Sequence, residues 1–156
     1  MIEKITMKIL QTNKKAYFDY LISDTLEVGI VLIGNEVKSI KNNLVKLQGA
    51  YAIISESKLV LINCHVSAYP FAFQGTSVDP LRNRMLLINK LELRKIAGKI
   101  QTKGFTLLPL KIYINNRGYV KLEVGLGKHK KLHDKKNLLK EKDLNRAAVR
   151  ELKDKN

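Results

Sequence analysis

The chain has 156 residues, 29 Lys plus Arg against 14 Asp plus Glu, a formal net charge of +15 and a pI near 9.9. Apolar residues make up 45%, and a chain this long buries about 68–70% of its unfolded surface, so it can build a real core and is not wholly disordered. It lacks a run of 18 apolar residues, and Glu3, Lys4 and Lys8 interrupt the first ten, so neither a membrane-spanning helix nor a signal peptide is expected; the lone Cys64 cannot form an internal disulfide and fits a reducing cytoplasm.

In chain order, the aromatic-rich stretch from Lys15 to Ile22 reads as a strand, and Val28 to Ile33 as a second, closed by Gly34. A short helix is expected from Asn35 to Lys41, with strand resuming at Leu44. Ala50 to Ile54 and Leu59 to Val66 form apolar runs joined by the polar turn Ser55 to Lys58. Pro70 to Arg84 has few periodic apolar residues and reads as a long loop, a type that is usually functional or mobile. Met85 to Ile88 is a short strand. Asn89 then precedes Leu93, Ile96, Ala97 and Ile100, whose spacing predicts an amphipathic helix capped by Asn89 and closed at Gly104. Leu108 to Ile114 and Val120 to Val124 alternate with period two about Asn115-Asn116-Arg117-Gly118, a hairpin with one buried face. Pro109 cannot donate to a ladder and should mark an edge, a bulge or the strand start. About six antiparallel strands with short helices suggest a small closed barrel of the OB type, with a sandwich as the competitor.

Charge is unevenly placed. From Lys128 to Asn156 there are eleven Lys or Arg against five Asp or Glu, a net +6. The dense run from Lys128 to Lys136 repels itself and should stay unfolded without a partner. The expected division is therefore an N-terminal extension over 1–12, a barrel body over 13–127 and a basic tail over 128–156. The boundary falls where alternation stops, at Gly125 to Gly127.

So basic a chain points first to nucleic acid, and a basic amphipathic helix bearing Trp or Phe for a membrane is missing. Enzyme signatures are scarce: there is no phosphate-binding glycine loop, no G-x-S-x-G and no H-E-x-x-H. Cys64 and His65 are adjacent, so on a strand they face opposite sides, Cys64 buried and His65 partly exposed. His129 and His133 are four apart, but further ligands are not evident and lysines surround them, so no metal or other cofactor is expected. A nuclease using His65 or His133 as base is the enzyme alternative. Glu27, Glu36 and Asp79 are scattered carboxylates suited to caps, salt bridges or solvent. The segment Asn13 to Tyr20 interleaves Lys14 and Lys15 with three aromatics, and Arg82, Arg84, Arg94, Lys95 and Lys99 add cations, a pattern suited to phosphates and unpaired bases. Core placement of Phe18 and Tyr20, with Tyr17 at the surface, is the plain reading of the rings.

Several blocks occur in an order that resembles the SmpB family of bacterial trans-translation. They are Asn13-Lys14-Lys15-Ala16 with Asp19-Tyr20, Glu27-Val28-Gly29-Ile30, Gly34 to Ser39, Asp79-Pro80-Leu81-Arg82-Asn83-Arg84, Met85 to Asn89, Gly125-Leu126-Gly127-Lys128 and His133-Asp134-Lys135-Lys136. The resemblance implies an OB-fold barrel with a tail disordered until bound. It also implies a monomeric, non-enzymatic factor that grips the tRNA-like domain of tmRNA and delivers it to stalled ribosomes. The alternative is another OB-fold ribosomal or translation-associated RNA-binding protein. By similarity Glu27, Leu87 and Asn89 match body positions that bind tmRNA, and Asn13 opens a further contact segment with Lys14, Lys15 and Phe18. Arg82 and Arg84 join this set as cations. Lys128, Lys131, His133, Asp134, Lys135 and Lys136 match tail positions that act in the vacant mRNA channel and decoding centre, where His133 would stack on a nucleotide. Phe18 stands where the family usually has His, and Lys136 where Arg is common, keeping the charge without the planar fork.

Overall fold

The computed structural model describes residues 7–73, 78–101 and 104–154. The elements run β1 (Lys8–Thr12), α1 (Lys14–Asp19), β2 (Tyr20–Ile30), α2 (Gly34–Lys41), β3 (Val45–Lys46), β4 (Tyr51–Ser55), β5 (Lys58–Ile62), β6 (His65–Val66), β7 (Arg84–Leu87), α3 (Lys90–Ile100), β8 (Phe105–Ile114), β9 (Val120–His129) and α4 (Leu132–Asp154). The fold is mainly β, as expected. Seven strands pair antiparallel in the order β1-β8-β4-β5-β7-β2-β9, and β9 also pairs with β8. Pairing from β8 therefore returns to β8, with β1 added outside. The short β3 and β6 pair separately.

The core follows the period-two faces. Val28, Leu59, Leu61, Leu86, Leu107, Ile112, Leu122 and Val124 meet inside, with Ile40 of α2 and Ile96 of α3 packed on them. α3 starts as expected: Asn89 Oδ1 accepts from the Leu91 N–H at 2.9 Å. Pro109 sits at a register shift between β8 and β9, so its missing N–H is accommodated at a bulge.

The structure corrects three expectations. Residues 14–19 form a helix, not the start of a strand. Asn13 Oδ1 caps it by accepting from the Ala16 N–H at 3.2 Å, and Ala16 buries itself against Leu108 and Leu110. The run from Leu59 to Val66 breaks at Asn63, whose φ of 60° turns the chain; its amide donates to the Gly49 carbonyl, and Cys64 leads into β6. Within the expected extension over 1–12, β1 pairs with β8; residues 1–6 lie outside the described residues.

The third correction concerns Gly125 to Gly127. These glycines do not end the strand: β9 continues to His129, with Thr25 opposite Gly125, Ile22 opposite Gly127 and Tyr20 opposite His129. They are buried where β9 is crowded. A Cβ on Gly125 would lie 2.5 Å from Leu110 Cδ1, and one on Gly127 would lie 3.1 Å from Leu108 Cδ1 and Tyr20 Cβ. The small residues that suggested a linker are needed for close packing.

Beyond β9 the chain forms α4, about 35 Å long at 1.5 Å per residue. Leu139, Leu144, Val149 and Leu152 on it are at least half exposed. No helix among the described residues is long and apolar enough to cross a membrane.

Candidate RNA-binding surface

The expected body residues fall at two ends of β2. At one end, Glu27 and Gly29 point away from the core face that carries Val28, and Gly29 pairs with Leu87 of β7. Leu87, 58% exposed, lies over the space that Gly29 leaves: a Cβ there would stand 3.2 Å from Leu87 Cβ. Asn89 follows two residues later and is exposed. Because Asn89 Oδ1 already accepts from the Leu91 N–H, its amide is the group it can offer outward, as a donor. Glu27 offers an acceptor and Leu87 an apolar contact. The three residues expected together are thus brought to one surface.

Gly29 was not singled out for this surface from the sequence. Its signal lay only in its place opposite a strand not yet aligned. Tyr113 is a second such residue. It is buried, and its hydroxyl donates a short hydrogen bond to Glu27 Oε2. Burial pushes that hydroxyl's pKa well up, and the Glu27 and Glu123 carboxylates push it the same way, so it stays a donor.

At the other end, Tyr20 to Glu27 spans seven residues of strand, about 20 Å away. Here Lys14 and Lys15 are exposed on α1. They join Lys46 around a groove of about 340 Å³ that Gln11, Thr12, Asn13, Leu47 and Gln48 complete. Lys46 carries no sequence motif and enters only through the fold. Asn13 itself is 5% exposed, and its amide donates to the Pro109 carbonyl at 2.9 Å and the Leu47 carbonyl at 3.3 Å. Asn13 therefore shapes the segment from inside.

The same end carries the root of the tail. The Lys130 N–H donates to the Asp19 carbonyl at 2.8 Å, and Lys130 Nζ to the Tyr17 carbonyl at 3.0 Å. Lys135 Nζ lies 2.9 Å from Asp19 Oδ1, and Lys15 Nζ lies 3.5 Å from Oδ2. The hydrogen bond from Lys135, with the charge of Lys15, holds the Asp19 carboxyl below its ordinary pKa despite some burial. Phe18 is not core: it is half-buried, with Lys135 and Lys142 at 5.9 and 5.7 Å from its ring centroid. Tyr20 and His129 rings stack tilted at 4.8 Å. Lys128, Lys131 and Lys136 are exposed around this root. The side chains of His133 and Asp134 lie outside the described residues.

Arg82 and Arg84 belong to a different assembly. Glu36 of α2 accepts from Arg84 Nε at 2.7 Å, from Arg82 Nε at 3.2 Å and from Arg82 Nη2, its Oε2 pairs ionically with Arg84 Nη2 at 2.6 Å, and its Oε1 also takes the Ile33 N–H at 3.0 Å. Arg84 is fully buried and donates further to the Cys64 and Pro80 carbonyls. With no exposed surface, it anchors the 79–83 segment to α2. Burial alone would raise the Glu36 pKa, but the bonds from Arg82, the Ile33 N–H and Arg84 outweigh that and hold it below the ordinary range. Glu36 is thus the structural carboxylate that its scattered position had left open.

A basic, mainly β protein with an outward carboxylate–leucine–amide cluster at one end and a cationic helical arm at the other is built as a structured-RNA binder. The SmpB protein family model matches residues 10–154. The SsrA-binding protein of Alkaliphilus metalliredigens is 49% identical over 147 residues, 93% of this chain and 91% of that one. The SsrA-binding protein of Elusimicrobium minutum is 44% identical, with 94% and 92% covered. A solved structure described as "tmRNA-SmpB: a journey to the center of the bacterial ribosome" is 42% identical over 80% of this chain and 86% of that one, with a TM-score of 0.67. The chain belongs to the SmpB family.

Proposed function

We propose that this protein is the tmRNA-binding ribosome-rescue factor of trans-translation. It binds the tRNA-like domain of tmRNA with its body and carries that RNA to stalled ribosomes. Its tail then occupies the vacant mRNA channel and decoding centre. The observation that carries the reading is the match to the family through residue 154, arm as well as body. The likeness to SmpB solved with tmRNA supports it.

In this reading the returning pairing of β8 and β9 closes an OB-type barrel. Glu27, Leu87 and Asn89 contact tmRNA directly. Lys14, Lys15 and Phe18 form a second contact beside Lys46, while Asn13, Arg82 and Arg84 hold the contacting segments in place. In this reading the body is taken through Lys130, which the length of β9 and its backbone tie to Asp19 support. Lys128, Lys131, His133, Asp134, Lys135 and Lys136 serve the ribosome. The exposed leucines of α4 support a tail that orders only against RNA and protein walls, since a helix of this length is marginal in water on its own. The protein acts as a cytoplasmic monomer and catalyses no step itself.

The test is truncation after Lys130. The shortened protein should retain binding to a tRNA-like-domain RNA in a band-shift titration yet fail to support tagging on stalled ribosomes. Equal loss of both activities would refute the division of labour, and equal affinity for unrelated structured RNA would refute the tmRNA assignment.

A further inference from the structure

Glu27 stands in an awkward place for an RNA contact. On the outer face of β8, β9 and β2, Glu27 lies opposite Glu123, and Glu123 lies opposite Lys111; the adjacent row is Gly29, Lys121 and Tyr113. Two carboxylates directly opposite repel, and an exposed side chain in that position would swing into solvent. One group prevents this. Tyr113, 4% exposed, reaches across β9 from the next row and donates its hydroxyl to Glu27 Oε2. Gly29, at the end of the Tyr113 row, puts no side chain beside Glu27 on β2. A buried phenol needs a partner, and here the partner is the one outward carboxylate of the proposed contact surface.

We infer that Tyr113 is a positioning residue for RNA recognition: it holds Glu27 Oε2 so that Oε1 faces an amino donor on a guanine or cytosine edge of the tRNA-like RNA. The inference rests on the proposed role of Glu27 as a tmRNA contact. Its physical content is preorganisation. A carboxylate fixed before binding loses little side-chain freedom on binding, and a carboxylate is the acceptor suited to base amino groups. Tyr113 never touches RNA in this scheme, and a phenylalanine would fill the same volume.

The experiment is a double-mutant cycle on tRNA-like-domain RNA binding, with Tyr113→Phe, Glu27→Gln and the pair. Gln keeps an acceptor for the tyrosine while replacing the outward acceptor with a donor. Tyr113→Phe alone should weaken binding about tenfold, in line with loss of a hydrogen bond to a charged group. In the Glu27→Gln background the same change should weaken it less than about twofold. The slope of log affinity against log salt should not move with Tyr113→Phe, because no phosphate contact is lost. A tenfold loss in both backgrounds would mean that Tyr113 acts through general structure and would overturn the inference. An unchanged affinity for Tyr113→Phe, with Glu27→Gln impaired, would overturn it while leaving Glu27 as a contact. An unimpaired Glu27→Gln would instead remove the contact on which it rests.

Discussion

The Glu36 cluster offers the sharpest energetic test. Arg84 has no exposed side-chain surface, and the Glu36 side chain is 6% exposed. Glu36→Ala leaves the Arg84 guanidinium buried with only the Cys64 and Pro80 carbonyls, at 2.7 and 3.1 Å, to satisfy it. Breaking one partner of a buried pair costs about 3–5 kcal/mol. Arg82, at 27% side-chain exposure, regains water and adds little. At about 2–4 °C per kcal/mol for a chain of this size, the melting temperature should fall on the order of 10 °C. Urea unfolding followed by far-UV circular dichroism measures the difference, with an unchanged m-value as the check that two states are compared. The paired change Glu36→Leu with Arg84→Met should recover most of the loss, because no charge is left buried. A cost below about 1 kcal/mol for Glu36→Ala, or no recovery in the apolar pair, would refute the reasoning. The sign with pH also follows. A carboxyl held below its unfolded value, about 4.3, stabilises above that pH and stops doing so as pH falls through the folded value. Glu36→Gln should therefore flatten the acid limb of the stability profile.

Three further outcomes are expected. Gly125→Ala should cost about 1–3 kcal/mol in the same denaturation assay, since its Cβ would lie 2.5 Å from Leu110 and 3.0 Å from Ile22; a flexible linker at this point would tolerate it freely. Asn13→Ala removes a helix cap and leaves two buried carbonyls without their donor, so stability should fall by about 2–4 kcal/mol, while the affinity of the folded protein for RNA changes less than for Lys14→Ala. Cys64 is 1% exposed, and burial pushes its thiol pKa up to about 11, so alkylation by iodoacetamide at pH 8 should be slow in the native protein and complete in denaturant.

What could be read from the sequence was what depends on local chemistry. The alternation of Leu108 to Ile114, the cap at Asn89 and the stripe through Ile96 each specify an element on their own, and each is present. The burial of Cys64 followed from a single-residue property, and Pro109 takes the bulge, one of the three places that its missing N–H allowed. What could not be read depends on which strands become neighbours. Asn13 looked like a surface residue because its partners, Leu47 and Pro109, lie 34 and 96 positions away. Arg84 looked like a free cation because Glu36 is 48 residues off. Tyr17 and Phe18 suggested a strand, yet the Asn13 cap and the docking of Ala16 outweigh β propensity over so short a segment. Gly125 and Gly127 carried the same letters for a linker and for a crowded strand, and only the packing of Leu108 and Leu110 separates the two.

The excess charge can now be sorted by what it faces. Arg82 and Arg84 meet Glu36, Lys99 meets Asp24, and Lys15 and Lys135 share Asp19. Lys14, Lys46, Lys128, Lys131 and Lys136 are exposed and form no ion pair among the described residues. They stand where α1 meets the end of β9, about 20 Å along β2 from Glu27. On the proposed reading, electrostatic attraction is concentrated at the α1 end, while the Glu27, Leu87 and Asn89 end contributes hydrogen bonds and apolar contact. The two should separate in salt. Lys14→Ala and Lys46→Ala should each lower the slope of log affinity for tRNA-like RNA against log salt by about 1, with similar loss for any structured RNA. Leu87→Ala or Asn89→Ala should lower affinity for the tRNA-like RNA by about tenfold at every salt concentration, leaving the slope and non-specific binding in place. If all four changes shift the slope alike, the surface does not divide along β2, and the carboxylate end serves the fold rather than the RNA.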